Sequence, residues 1–248
     1  MPVRVQIAGV SSLDEALATE RAGADALGFT VRLPRGVHDG LTEEKARNLI
    51  AALPPFVSTV AITYVDNARE AIELCRYLGV STLQLHGEFP TREIPLLRAG
   101  LPHLRIIRAL NVVGPEAVDR FRDVQRRADA VILDTLDPET GRRGATGMTH
   151  DWSISAEIVS SARLPVILAG GLTAENVDEA IRCVRPWGVD VHTGVEDTDG
   201  RRNIEKVRAF IDAAKAVVVD YTPPSPPRRR RGPARWGSHR SSAADDDS

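Results

Sequence analysis

Short apolar runs recur along the chain at Val3–Ala8, Ala26–Val31, Val57–Tyr64, Thr82–Leu85, Leu104–Leu110, Ala130–Leu133, Val166–Ala169 and Val189–Val191. Most lack the polar alternation of a half-solvated strand. Runs of that kind predict strands buried on both faces, the pattern of a parallel sheet covered by helices. Between the runs, apolar residues fall at three- and four-residue spacing. Examples are Leu13-Ala16-Leu17 with Ala22, Ala46-Leu49-Ile50-Leu53, Ala71-Leu74-Cys75-Leu78 and Ile204-Val207-Phe210-Ile211, and this period predicts helices. Ser12, Thr42 and Thr173 stand where N-caps belong, each with an acidic residue within the next three positions. Eight strands alternating with helices fit a single (β/α)8 TIM barrel over residues 1–220. An open doubly wound sheet is the alternative. It would show fewer strands and a glycine fingerprint after the first, where this chain has only Ala8-Gly9-Val10.

Composition changes the picture at one place. From Thr222 the chain reads TPPSPPRRRRGPARWGSHRSSAADDDS, rich in Pro, Arg and Ser and almost free of apolar residues. Such a segment cannot bury enough surface to offset its ordering entropy, so residues 221–248 are expected to form a disordered tail. The Arg228–Arg231 run reads either as a dock for a phosphate-rich partner or as a solvated stretch with none.

The 248 residues carry a formal net charge of −2 and are 42% hydrophobic. That balance points to neither nucleic acid nor a membrane surface, and no apolar run approaches a transmembrane span or a secretion signal. A soluble, cytoplasmic protein is the expectation. Cys75 and Cys183 both sit in helical patterns without a CxxC or histidine cluster nearby. They read as buried structural thiols in a reducing compartment rather than zinc ligands.

The barrel reading tells where chemistry belongs. Sites in such barrels form at the strand C-termini, and a phosphate commonly binds after the seventh and eighth strands on backbone N–H groups. The seventh run ends in Gly170-Gly171, and the eighth continues into His192-Thr193-Gly194. Glycines let a backbone approach an anion closely, so Gly170, Gly171, Thr193 and Gly194 are the candidate phosphate-binding residues. Barrel loops also need glycine simply to turn. Asp134 closes the otherwise apolar run Ala130–Leu133; a carboxyl partly buried there is raised in pKa and suited to act as an acid.

Eight stretches, in order, carry a resemblance: AGADALGF (22–29), LPRGV (33–37), ALPPFV (52–57), LQLHGE (83–88), ILDT (132–135), GATGMTHDW (144–152), PVILAGGLTAENV (165–177) and VRPWGVDVHTGVE (184–196). Through about Val217 the chain resembles the phosphoribosylanthranilate isomerase family of tryptophan biosynthesis. The resemblance implies an Amadori rearrangement: an N-(5-phosphoribosyl) aryl amine becomes the 1-arylamino-1-deoxyribulose 5-phosphate, with no metal or organic cofactor. It implies a small-molecule partner and a monomer or homodimer. It also makes Asp134 the general acid, Arg35 the partner of the substrate carboxylate, and His86 and Asp190 substrate-binding residues.

The sequence departs from the family at two places. Where the family reads Lys-Ile-Cys-Gly, with the cysteine as general base, this chain reads Gln6-Ile7-Ala8-Gly9. Met148 and His150 stand where the family usually has Lys and Phe. Alanine cannot take a proton, and losing a general base costs on the order of 10²–10⁴ in rate. Closing the barrel sets the eighth strand beside the first, so His192 is the candidate replacement base, its unperturbed pKa near about 6.5 suiting it to that work. Three readings stay open: an isomerase with a relocated base, an enzyme that hydrolyses the N-glycosidic bond of the same substrate class, and a phosphosugar-binding protein without catalysis.

Overall fold

The computed structural model describes residues 1–34, 40–135 and 149–221. Eight parallel strands close into a barrel in chain order. They are β1 (Arg4–Ile7), β2 (Ala26–Thr30), β3 (Ser58–Thr63), β4 (Thr82–Leu85), β5 (Arg105–Asn111), β6 (Ala130–Asp134), β7 (Val166–Leu168) and β8 (Gly188–Val191). The helices between and after them are α1 (Leu13–Arg21), α2 (Glu43–Ala51), α3 (Ala68–Leu78), α4 (Ile94–Gly100), α5 (Glu116–Val124), α6 (Trp152–Ser161), α7 (Val177–Val184) and α8 (Ile204–Ala216). This is the (β/α)8 barrel, and its closure rules out the open sheet. Apart from Tyr221, the tail and its arginine run lie outside the described residues.

The apolar runs bury their two faces in different places. One face meets the helices, in a core that includes Phe29, Leu74, Phe121 and Phe210. The other face lines the barrel, where Ile107, Ala130, Ile132, Ile167 and Ala169 form one cluster and Ala8, Val60 and Ile62 another. The last strand pairs with the first in a register that sets Gln6 opposite Asp190 and Ile7 opposite Val191. The Ala8 N–H continues the ladder by donating to the Val191 carbonyl at 2.9 Å.

Local signals set most of the helix starts. Ser12 accepts from the Glu15 N–H while the Glu15 carboxylate accepts from Ser12, a capping box that fixes the start of α1. The Thr42 hydroxyl accepts from Lys45 N–H at 3.2 Å and caps α2. Thr173 does not cap α7. Its hydroxyl accepts from Glu175 N–H, while the Asn176 side chain accepts from Thr173 N–H and donates to the Gly171 carbonyl. That web forms a separate turn, and the helix begins after it at Val177. The cysteine expectation holds for Cys75, which is buried, and fails for Cys183, which is exposed. The buried positions of α7 are Val177, Ala180, Ile181 and Val184, so residue 183 falls on the outer side of the helix. Among the described residues, no helix is long and apolar enough to cross a membrane.

Candidate functional site

Polar side chains interrupt the apolar lining of the barrel, and four of them, Gln6, Gln84, His86 and Asp190, pair with one another. Gln6 of β1 donates through Nε2 to Asp190 Oδ1 of β8 at 2.9 Å and to Gln84 Oε1 of β4 at 2.9 Å. The Gln84 amide then meets Nε2 of His86, just past β4, at 2.9 Å. Because Oε1 of Gln84 is already an acceptor, its NH2 is the donor toward His86. The imidazole therefore accepts at Nε2 and carries its proton on Nδ1. Burial pushes the His86 pKa down to about 4, which agrees with a neutral acceptor ring. Gln6 and Gln84 are polar interruptions of apolar runs in the sequence, and that is the one signal by which these two members of the network could have been found.

Asp134 ends β6 on the same inner wall and is 5% exposed. Its Oδ1 accepts from the Thr135 N–H at 2.8 Å. That bond favours the ionised form, but burial outweighs it and pushes the pKa up to about 6. Asp190 is raised further, to about 7, by burial and by the charge of Asp134, against the Gln6 hydrogen bond and the attraction of Arg202. The barrel thus holds two carboxyls that repel each other's ionised form, the condition under which a pair retains one proton near neutral pH.

The loops after β7 and β8 are packed against one another. Gly170 has φ +88° and Gly171 φ +62°, both in the left-handed region. A Cβ on Gly170 would overlap the Thr135 side chain, and one on Gly194 would overlap the Leu172 carbonyl. Both glycines therefore have a packing reason independent of any anion. Thr193 opens the 3-10 turn Thr193–Val195 that carries Gly194. His150 bridges α6 to this side of the site, bonding Thr135 Oγ1 through Nδ1 at 3.0 Å and Ser155 Oγ through Nε2 at 2.6 Å.

His192 lies beside the end of β1, as the barrel closure requires. Its ring covers Gly9, whose φ of +73° and missing Cβ make the room. Nε2 of His192 is closed off from solvent and stands 3.5 Å from Glu196 Oε1. Arg202 fills the same corner. It pairs with Glu196, approaches Glu15 to 3.7 Å and donates to the Ala8 carbonyl through Nε at 3.0 Å. His192 thus sits among the charged side chains Arg202, Glu196 and Glu15 that anchor the turn after β1. Arg35 and Met148 lie outside the described residues. Among the described residues, no group of His, Cys, Asp or Glu is placed to hold a metal ion.

The two raised carboxyls have a consequence for stability. An unfolded aspartate titrates at about 3.9, so both groups bind their protons more tightly in the folded chain. Their favourable contribution is complete below about pH 4 and is lost as pH rises through about 6 for Asp134 and about 7 for Asp190. Asp190→Asn keeps an acceptor for Gln6 and removes the buried charge. It should raise the melting temperature at pH 8, with the gain shrinking toward zero at pH 4. Thermal unfolding across that range checks this; a variant no more stable than the parent at pH 8 would mean that Asp190 is not desolvated.

The family model described as "N-(5'phosphoribosyl)anthranilate (PRA) isomerase" matches residues 5–213. A relative from Methanosarcina mazei, N-(5'-phosphoribosyl)anthranilate isomerase 2, is 38% identical over 213 residues, covering 86% of this chain and 94% of its own length. A solved phosphoribosyl anthranilate isomerase in complex with reduced 1-(o-carboxyphenylamino)-1-deoxyribulose 5-phosphate superposes with a TM-score of 0.73 at 32% identity, over 87% of this chain and all of that one. A structure of monomers made from the dimeric Thermotoga maritima enzyme gives a TM-score of 0.73 at 30% identity, with the same coverage.

Proposed function

Because the chain belongs to the N-(5'-phosphoribosyl)anthranilate isomerase family, we propose that it catalyses the Amadori rearrangement of an N-(5-phosphoribosyl) aryl amine to the 1-arylamino-1-deoxyribulose 5-phosphate. The observation that carries this reading is Asp134, a carboxyl enclosed at the end of an apolar strand and raised to about 6. A carboxyl held there as the neutral acid can give its proton to the furanose ring oxygen. The C1–O4 bond then breaks and an imine forms between C1 and the aryl nitrogen. Loss of the C2 proton gives an enolamine, and ketonisation gives the product. Simple retention of a phosphosugar needs no such acid, and burying one costs stability; Asp134 therefore speaks against a binding protein without catalysis.

The substrate's two anionic ends take separate partners. The phosphate goes to the backbone at Gly170-Gly171 and Thr193-Gly194, a placement supported by the position of both loops after the seventh and eighth strands, where barrels of this kind commonly bind one. Arg35 takes the aryl carboxylate. His86 and Asp190 face the sugar. Hydrolysis of the N-glycosidic bond is the second reading, and Ala8 in place of the family cysteine is what favours it.

Freshly made phosphoribosylanthranilate separates these outcomes. The isomerase reading expects an isomer of unchanged mass, whereas release of fluorescent anthranilate would mean hydrolysis. Asp134→Asn cannot donate a carboxylic proton and should lose turnover by about 10² or more with ligand affinity retained. Near-normal turnover in that variant would remove Asp134 from the role.

The phosphate placement has its own test. Ribose 5-phosphate should compete far better than ribose, and Gly171→Val, which forces a β-branched residue to φ +62°, should erase the difference. Equal competition by both sugars in the parent protein would overturn the placement.

For the assembly we favour a homodimer, as described for the Thermotoga maritima relative. Phe56 is 99% exposed and lines a cavity of about 450 Å³ at the N-terminal ends of the strands, together with Arg4 and Trp187. An aromatic ring left in water on the face away from the site is suited to burial against a second copy. Light scattering should find a dimer that Phe56→Glu converts to monomers with activity retained; a monomeric parent would rule the dimer out.

A further inference from the structure

With alanine at position 8, some other group must take the C2 proton if the isomerase reading holds. The β1–β8 register narrows the choice. Asp190 stands opposite Gln6, one inward-facing position before Ala8 on the neighbouring strand. Its Oδ1 is anchored by the Gln6 amide at 2.9 Å, and among the described residues no side chain donates to Oδ2. The anchor is neutral, so it orients the carboxylate and lowers its affinity for a proton only through that hydrogen bond, without the added attraction that a cation at position 6 would exert. His192, the other candidate, has Nε2 closed off against the Gly9 turn, beside Glu196.

We propose that Asp190 is the general base of this enzyme, taking the proton from C2 and returning it to C1 while Asp134 recovers the proton lost from the C2 hydroxyl. The proposal rests on the isomerase reading, and the steps balance. The reactive form has the pair's one proton on Asp134 and leaves Asp190 ionised. Because Asp190 has the higher proton affinity of the two, this is the minor of the two singly protonated forms. Asp134 gives its proton to the ring oxygen, and the C1–O4 bond electrons go to that oxygen as the nitrogen lone pair forms the C1–N double bond. The Asp190 carboxylate removes the C2 proton, and the C–H electrons form the C1–C2 double bond and neutralise the iminium nitrogen. In ketonisation the C2 hydroxyl proton passes to the Asp134 carboxylate, the C2–O bond becomes a carbonyl, and C1 takes the proton held by Asp190. Both carboxyls end as they began, with nothing consumed from solvent. The mutual repulsion of the two groups suits this exchange, because it keeps one proton between them.

The test uses the full chain and phosphoribosylanthranilate. The unaltered protein must first give the isomer; if it does not, the isomerase reading itself fails, and that outcome is distinct from any result on Asp190. Given turnover, Asp190→Asn should slow it by about 10²–10⁴ yet still open the ring. Cyanoborohydride should then trap an open-chain amine heavier than the substrate by two hydrogen atoms. Asp134→Asn should trap none, and His192→Ala should keep turnover within a few-fold of the parent. As a second variant, Gln6→Lys leaves the carboxylate in place and sets a cation beside it. The charged groups acting on Asp190 are Asp134 of β6 and Arg202 from the segment after β8, with His86 linked through Gln84. Against that background the new cation should move the acidic limb of the kcat profile to lower pH. The assignment is overturned if Asp190→Asn turns over normally, if His192→Ala is the variant that stalls with the trapped amine, or if Gln6→Lys leaves the limb where it was.

Discussion

Everything at the site depends on the hydrogen bonds that join the last strand to the first. A sheet of eight parallel strands leaves two edges unless those edges meet, and here they meet in a single register, with Gln6 opposite Asp190 and Ala8 bonded to Val191. A one-residue slip would turn Asp190 toward the helices and a valine into the barrel. The closure therefore does more than remove unpaired backbone. It decides which side chains from opposite ends of the sequence, 184 positions apart in the case of Gln6 and Asp190, share the interior.

That interior is divided by chemistry. Ile107, Ala130, Ile132 and Ile167 fill one part as an ordinary apolar core. Gln6, Gln84, His86 and Asp190 form a continuous polar chain above them, with Asp134 on the same wall. The amides and the imidazole satisfy one another, so they can be buried at little cost. Among the described residues, no cation forms an ion pair with either carboxyl, and their raised proton affinities express that strain. Raised proton affinity and lost stability here share one origin, the withdrawal of two aspartates from water.

Much of this was legible in the sequence. The eight apolar runs mark the strands to within one or two residues, because strands buried on both faces leave no polar alternation to confuse the period. Asp134 was visible as a carboxyl ending such a run, and His192 was correctly placed beside Ala8. Contact geometry was not legible. Thr173 reads as a helix cap, but the Asn176 side chain bonds on both sides of it and forms a separate turn before α7. Cys183 occupies a helical pattern whose buried face lies elsewhere. The seating of His192 depends on Arg202 and Glu196, and only tertiary packing brings the arginine to the end of β1. Gln6 showed in the sequence as a polar interruption of an apolar run and as a departure from the family, and the partner that gives it meaning lies near the other end of the chain.

The amino group of Met1 donates to the Val219 carbonyl at 2.7 Å, and Pro2 bridges Val218. The two ends of the barrel domain are therefore neighbours in space, although 218 positions separate the bonded residues. A short peptide joining them would let the ring be cut elsewhere, for instance at the exposed turn around Gly200, with no strand changing its neighbours. The order in which the eight units are written along the gene is thus a free variable of this architecture: any unit could come first, and the circle would still close.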